Sequence, residues 1–159
     1  MADTKQGGTS MRIRVALAGL ALLALPTLAA AQQPRTIEIK GTDDMKFSVT
    51  SITAKPGERI RVVLTAVGSM PKMVMAHNWI MLKKGTDQQG FINASALARD
   101  TGFIAPAQKT HVLAATTLVG AGETAEVTFT APKVAGAYPY VCSFPGHFAA
   151  GMKGTLTVK

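Results

Sequence analysis

The alternation of apolar and polar positions carries most of the structural information in this chain. Thr36 to Lys40 places Ile37 and Ile39 on one face and Glu38 and Lys40 on the other, the period of two of a half-buried strand. Gly41-Thr42-Asp43-Asp44 then predicts a turn, Phe47 to Thr53 a less regular β segment, and Lys55-Pro56-Gly57 a tight turn closing it. Arg59 to Leu64 alternates again, with Ile60, Val62 and Leu64 inward and Arg59 and Arg61 outward. After a loop at Gly68-Ser69-Met70-Pro71, the run from Val74 to Leu82 is apolar at both parities. That predicts a strand buried on both faces.

From Gly85 to Lys109 no period of two survives. Asn93 to Arg99 reads as a short helix with Asn93 as its N-cap, in a flap covering one side of the structure. Val112 to Val119 resumes extended character, Gly120-Ala121-Gly122 turns the chain, and Glu123 to Ala131 alternates most regularly of all. There Ala125, Val127, Phe129 and Ala131 share one face. Tyr138 to Cys142 and Lys153 to Lys159 complete the set, the latter with Leu156 and Val158 inward. Pro139 has no N–H to give a ladder, so it predicts an edge position or a bulge. Seven or eight short strands separated by turns predict an all-β Greek-key β-sandwich with a short helix in the flap.

Composition alters this picture at the N-terminus. Among the 159 residues, 1–31 stand apart: Lys5, Arg12 and Arg14 precede an apolar run from Val15 to Leu28, and Ala29-Ala30-Ala31 follows. This is the layout of a secretory signal peptide cleaved near Ala31, and it implies a periplasmic or otherwise exported protein. The run contains Pro26 and is shorter than the roughly 20 residues of a spanning helix, which argues against an uncleaved anchor. Met11 is a second candidate initiator. Residues 32–159 then form one domain with 14 Lys and Arg against 8 Asp and Glu, about +6. The charge is spread, with no arginine-rich run or interleaved aromatics, so nothing points to nucleic acid.

The lone cysteine brings in the chemistry. An exported chain with one cysteine forms no internal disulfide, so Cys142 is a free thiol, half of an intermolecular bridge, or a metal ligand. His147 follows five residues on and Met152 five after that. A thiolate, an imidazole and a thioether on one loop favour copper, and a blue-copper centre needs one further histidine. His77, in MAHNWIML, is the candidate. His111 stands beside Lys109 and Thr110 and reads as a solvated surface residue; Trp79, Tyr138 and Tyr140 read as packing residues. Met45, Met70, Met73, Met75 and Met81 lie off the cysteine loop. They read as core filling or a soft surface patch.

These motifs, DDMKFSV, MPKMVMAHNW, LVGAGE and CSFPGH followed by MKGTLTVK, make residues 32–159 resemble a cupredoxin of the azurin type, with a ligand loop nearest to auracyanin-like members. The resemblance implies a Greek-key sandwich and a soluble carrier that passes single electrons through one type 1 copper ion. His77, Cys142 and His147 would be its equatorial ligands and Met152 its axial one. It further implies that Asn78 ties the two ligand segments together and that the Phe144 amide helps stabilise charge on the cysteine sulfur. Met45, Phe144, Pro145 and Phe148 would form an apolar rim around an exposed edge of His147, where redox partner proteins dock transiently.

Three departures from the azurin pattern stand out. Four residues, Phe148 to Gly151, separate His147 from Met152 where azurins have three. Ala76 replaces a glycine whose carbonyl lies opposite the methionine, so the Ala76 carbonyl is a candidate weak axial contact. The azurin disulfide is absent. A copper-binding or delivery protein is the alternative reading. A copper enzyme would need an open coordination position or a second metal, and His111 alone cannot supply one. The chain is therefore expected to be no enzyme, to be a monomer, and to have no membrane insertion after signal cleavage.

Overall fold

The computed structural model describes residues 1, 2, 7 and 33–159; the predicted leader and its cleavage point lie outside the described residues. Among the described residues nine strands and one α-helix follow in order, with two short 3-10 helices, Arg99–Thr101 and Pro106–His111, between the α-helix and the sixth strand. They are β1 (Arg35–Thr42), β2 (Lys46–Phe47), β3 (Ser51–Ala54), β4 (Arg59–Val67), β5 (Ile80–Leu82), α1 (Gln88–Ser95), β6 (Val112–Ala115), β7 (Thr124–Thr130), β8 (Gly136–Val141) and β9 (Lys153–Val158). One sheet has the order β2-β1-β4-β7 and the other β3-β9-β8-β5-β6. Strands β1 and β4 run parallel, as do β3 and β9, while the other paired strands are antiparallel.

The chain passes repeatedly from one sheet to the other, giving a Greek-key sandwich. The first passage explains the irregular pattern of Phe47 to Thr53. Ser48 N–H still bonds the Lys40 carbonyl in the first sheet, and the Thr50 carbonyl already accepts Thr155 N–H in the second. One apparent β segment is therefore two strands in two sheets, which brings the total among the described residues to nine.

Alternation elsewhere places the core as expected. Ile39 of β1 and Ile60, Val62 and Leu64 of β4 face Trp79, Met81, Tyr140 and Leu156 across the sandwich, and all are essentially inaccessible. Full burial of each aliphatic among them contributes about 1.5–3 kcal/mol. A smaller cluster lies on the outer face of the second sheet, where Ile80, Leu82 and Val141 pack against Phe91 of α1 and Phe148. The two-sided apolarity of residues 79–82 thus has its cause: odd positions face the main core and even positions face the flap.

Three elements differ from expectation. The double-sided strand from Val74 is confined to Ile80–Leu82. Pro71 instead starts a tight turn in which its carbonyl accepts both Val74 and Met75 N–H at 3.0 Å, and His77 joins Val119 only as an isolated bridge. The helix spans Gln88–Ser95, earlier than Asn93–Arg99, with Asp87 at its N-cap position. Asn93 lies inside it and accepts a bond from Gln89 at 2.8 Å. Phe91 and Ser95, four residues apart, form its buried face, and Gly90 obscured that spacing. Strand β6 ends at Ala115, well before Val119.

Pro139 sits in an inner strand but at a locally free position. It stands opposite Thr155 of β9, whereas the pairing of β5 with β8 stops at Met81 opposite Tyr140. A missing N–H costs little there.

Candidate metal centre

Four connections converge at one end of the sandwich. Gly41 nears the end of β1, His77 precedes β5, Cys142 follows β8, and Met152 precedes β9. One ligating atom from each of His77, Cys142 and His147 lies within 4.8 Å of the others, and all three residues are buried. Cys142 Sγ stands 3.5 Å from His147 Nδ1, and the two imidazole rings are 5.0 Å apart between centroids.

The loop from Cys142 to Met152 folds upon itself through its own backbone. Cys142 N–H donates to the Met152 carbonyl, Met152 N–H to that of His147, and His147 N–H to that of Phe144, at 2.9–3.1 Å. Ala150 N–H reaches Gly146 and Gly151 N–H reaches Phe148. Gly146 and Gly151 both adopt positive φ, which permits this tight winding. Cys142 and His147, five residues apart, are thereby brought together.

His77 is fixed from the other side. Its N–H and carbonyl pair with Val119, and Asn78 beside it reaches into the cysteine loop. Asn78 Oδ1 accepts Ser143 N–H at 2.9 Å, and Asn78 Nδ2 donates to the Ser143 hydroxyl and to the Gly102 carbonyl, each at 2.9 Å. One buried amide thus joins three segments: the His77 connection, the cysteine loop and the flap.

Electrostatics within the cluster favour neutral ligands in the metal-free protein. Burial pushes the Cys142 thiol up to about 12, opposed by the backbone N–H groups of Asn78 and Phe144. Burial, then the adjacent His77, lowers His147 to about 4. Burial lowers His77 as well, with Asp43 pulling the other way. His77 Nδ1 is buried and has no hydrogen-bond partner. An orphaned nitrogen of that kind normally costs about 1–3 kcal/mol, and a metal ion is the partner that would remove the penalty.

The donor set supports copper. Two imidazoles and one thiolate within mutual reach, with a thioether nearby, form the combination that selects blue-copper chemistry. Met152 is fully buried, and its methyl carbon and the His77 ring both crowd Gly41, where an added Cβ would lie 2.9 Å from His77 Cγ and 3.0 Å from Met152 Cε. Gly41 therefore leaves the room in which these two side chains meet. The sequence marked it only as a turn residue; its place at a strand end before TDDM was the available signal.

Other residues also entered the site unannounced. Ser143 is buried on Asn78, and the Thr116 hydroxyl accepts Trp79 N–H at 3.0 Å. Phe103, at positive φ, packs edge-on against Phe144 with centroids 5.3 Å apart.

The rim needs correction. Phe148 is 8% exposed and packs into the flap cluster, with Lys153 Nζ 4.6 Å above its ring, so it does not border His147 as an open apolar surface. His147 itself is only 2% exposed, with the Phe144 ring 4.8 Å away. Its edge is nearly covered rather than open. Met45 is half-buried with φ 57°, and Pro145 is exposed. The larger exposed apolar groups at this end are Val67, Met70, Met73 and Val74. Of the five rival methionines, Met75 and Met81 are buried, and Met70 and Met73 are surface. Ala76 is buried and lines a recess of about 300 Å³ with Met73, Phe103, Leu118 and Phe144, with Lys72 and Arg99 at its border. His111 is exposed at the opposite end of β6.

Comparison with known proteins agrees with this geometry. A family model for copper binding proteins, the plastocyanin/azurin family, matches residues 35–159. Azurin of Pseudomonas aeruginosa is 39% identical over 153 residues, covering 94% of this chain and 99% of that protein. Auracyanin-B of Chloroflexus aurantiacus is 35% identical over 126 residues, covering 78% of this chain and 52% of its own length. Among solved structures, auracyanin B has a TM-score of 0.68 at 33% identity, over 82% of this chain and 93% of that one. The azurin Az-iso2 of Methylomonas sp. strain J has a TM-score of 0.69 at 33% identity, over 79% and 98%.

Proposed function

Since the chain belongs to the plastocyanin/azurin family of copper-binding proteins, we propose that it is a type 1 blue copper electron carrier whose ion would be held by His77, Cys142 and His147, with Met152 as a weaker fourth donor. The convergence of the three buried ligating atoms within 4.8 Å carries this reading. Copper, when bound, supplies the one-electron couple. The chain's own residues supply a fixed, dry setting for it.

Rigidity comes from the backbone bonds that close the Cys142–Met152 loop and from Asn78, which locks that loop to the His77 connection. Such outer contacts typically tune metal affinity by about 10- to 100-fold. The Asn78 and Phe144 amides directed at Cys142 stabilise charge on sulfur. Phe103 and Phe144 exclude water. The Ala76 carbonyl is the candidate for a weak contact opposite Met152.

The 2% exposed edge of His147 is where a bound ion would exchange electrons with a partner. A redox partner protein rests transiently on the apolar surface of Val67, Met70, Met73, Val74 and Pro145, with Met45 beside it. Buried ligands wrapped by their own loop leave no open position for a substrate, which favours a carrier over an enzyme. The same enclosure disfavours copper delivery, where the ion must leave readily. Residues 1–31 act as the export signal, cleaved near Ala31, and the carrier works as a periplasmic monomer; mass spectrometry of the secreted chain tests the cleavage point.

Titration of the metal-free protein with Cu(II) tests the assignment. One equivalent should give an intense blue colour that vanishes reversibly on reduction, and Cys142→Ser should bind without that colour. A colourless complex of the unaltered protein would reject it.

A further inference from the structure

The end of the sandwich remote from the metal centre carries a charge pattern that electron transfer at His147 does not use. Lys55 follows β3, Arg59 opens β4, Lys83 and Lys84 follow β5, Lys109 precedes β6, and Lys133 precedes β8. Strand register gathers them at one end: Ala54 and Gly136 both stand opposite Val158, Leu82 opposite Val112, and Arg59 opposite Thr130. All six are exposed, and none takes part in the ion pairs found among the described residues. Glu58 is engaged by Arg35, which leaves Asp87 as the unpaired side-chain carboxylate of these connections. Asp43, Asp44, Asp100 and Glu123 all stand toward the metal end.

An aliphatic group sits among these cations. Val134 is 66% exposed, next to Lys133. Its outward position is fixed: the buried Tyr138 donates its hydroxyl to the Val134 carbonyl at 2.8 Å, and Lys84 Nζ approaches the Ala135 carbonyl at 3.4 Å.

We propose that this basic end is a peripheral docking surface for an anionic phospholipid membrane, with Val134 at headgroup level and the metal end facing away. Lysines around exposed aliphatics, here Val134 and the 38% exposed Leu113 of β6, suit a lipid interface, where long cationic side chains reach phosphates while apolar groups lie among them. A nucleic acid would call for exposed aromatic rings to stack on bases, and the exposed large hydrophobics of the described residues include none. A protein partner would need a packed core of aromatic and aliphatic anchors, which two aliphatics, Val134 and Leu113, and no exposed aromatic do not supply. Among the described residues no helix is long and apolar enough to cross a membrane.

Orientation follows from strand length. β4 runs from the basic end to the metal end over nine residues, roughly 26 Å at the usual strand rise. The metal centre is therefore held away from the bilayer, toward partners that project from the surface, and its search for them is confined to two dimensions.

Co-sedimentation of the copper-loaded protein with vesicles tests this. Phosphatidylcholine vesicles containing roughly one-third phosphatidylglycerol should bind it at low ionic strength, and pure phosphatidylcholine vesicles should not. Lys83→Gln with Lys133→Gln should weaken binding roughly 25-fold, at about fivefold per charge. Lys40→Gln with Arg99→Gln removes the same charge elsewhere and should weaken it less than fivefold. Val134→Ser should weaken it at unchanged charge, and the blue colour of each variant verifies its fold. Failure to bind anionic vesicles, equal losses in both double variants, or no effect of Val134→Ser would overturn the proposal. Displacement from the vesicles by double-stranded DNA or polyglutamate at equal ionic strength would also overturn it, in favour of a soluble polyanion.

Discussion

Asn78 and Ser143, 65 positions apart, are joined twice: the Asn78 amide oxygen accepts Ser143 N–H, and its amide nitrogen donates to the Ser143 hydroxyl, both at 2.9 Å. Both residues are about 1% exposed, so water competes little for these bonds. Asn78→Ala would strand the buried Ser143 N–H, at about 1–3 kcal/mol, and leave the part-buried Gly102 carbonyl without its partner at a smaller cost. The expected result is a protein less stable by about 2–4 kcal/mol in denaturant and a copper affinity lower by about 10- to 100-fold. Equilibrium unfolding and competition with a copper chelator measure the two effects separately.

Gly41 gives a second prediction, by sterics alone. Its backbone has no positive φ, so alanine is conformationally acceptable there, yet its Cβ would come within 3.0 Å of both His77 and Met152. Gly41→Ala should cost about 1–3 kcal/mol through overpacking. It should also displace Met152, altering the absorption spectrum and shifting the potential. Protein-film voltammetry reads the potential; a wild-type value with an unchanged spectrum would mean that Gly41 does not shape the site.

The strands were legible because burial on one face imposes a period of two, and Ile60, Val62, Leu64, Leu156 and Val158 obey it. The candidate ligands are legible because the one cysteine and two of the three histidines fall into two short motifs, with Met152 the methionine on the cysteine loop. What remained hidden depends on the third dimension. Gly41 is meaningful only once His77 and Met152 are seen on either side of it. Phe148 looks like a rim residue in sequence, but the flap supplies Phe91 and Ile80 as partners and draws it under cover. Sequence places the helix later than Gln88–Ser95 because Asn93 is a good cap residue locally, whereas burial of Phe91 and Ser95 decides the frame.

Proton release on metal uptake gives a third prediction. The Cys142 thiol, pushed up to about 12, is protonated in the metal-free protein at neutral pH, whereas His147, lowered to about 4, is already neutral. Binding as thiolate must therefore expel one proton, and affinity should rise about tenfold per pH unit across neutrality. Below about pH 4, protonation of His147 should steepen the dependence. Calorimetry in buffers of different ionisation enthalpy counts the protons; two per copper at pH 7 would contradict this ordering.

A fourth concerns acid stability. Glu58 is held below the usual carboxylate range, first by the hydrogen bond from Arg35 at 2.5 Å and then by the Lys55 N–H. A lowered folded-state value means that the stabilisation is complete above the unfolded value near 4.5 and is lost as pH falls through the folded one. Arg35 is 46% exposed, so solvent screening limits the pair to about 0.2–1 kcal/mol. Glu58→Gln should lower stability by that amount at pH 7, and the gap should close in strong acid. Denaturation midpoints at several pH values give the comparison.

The central claim is a copper site whose ligands stay in place while the ion changes oxidation state. X-ray absorption at the copper edge, recorded on the same sample as Cu(II) and as Cu(I), tests it most directly. Two nitrogen donors and one short sulfur donor in both states, with bond lengths nearly unchanged, is the predicted result. Loss of a histidine or of the short sulfur on reduction would contradict it.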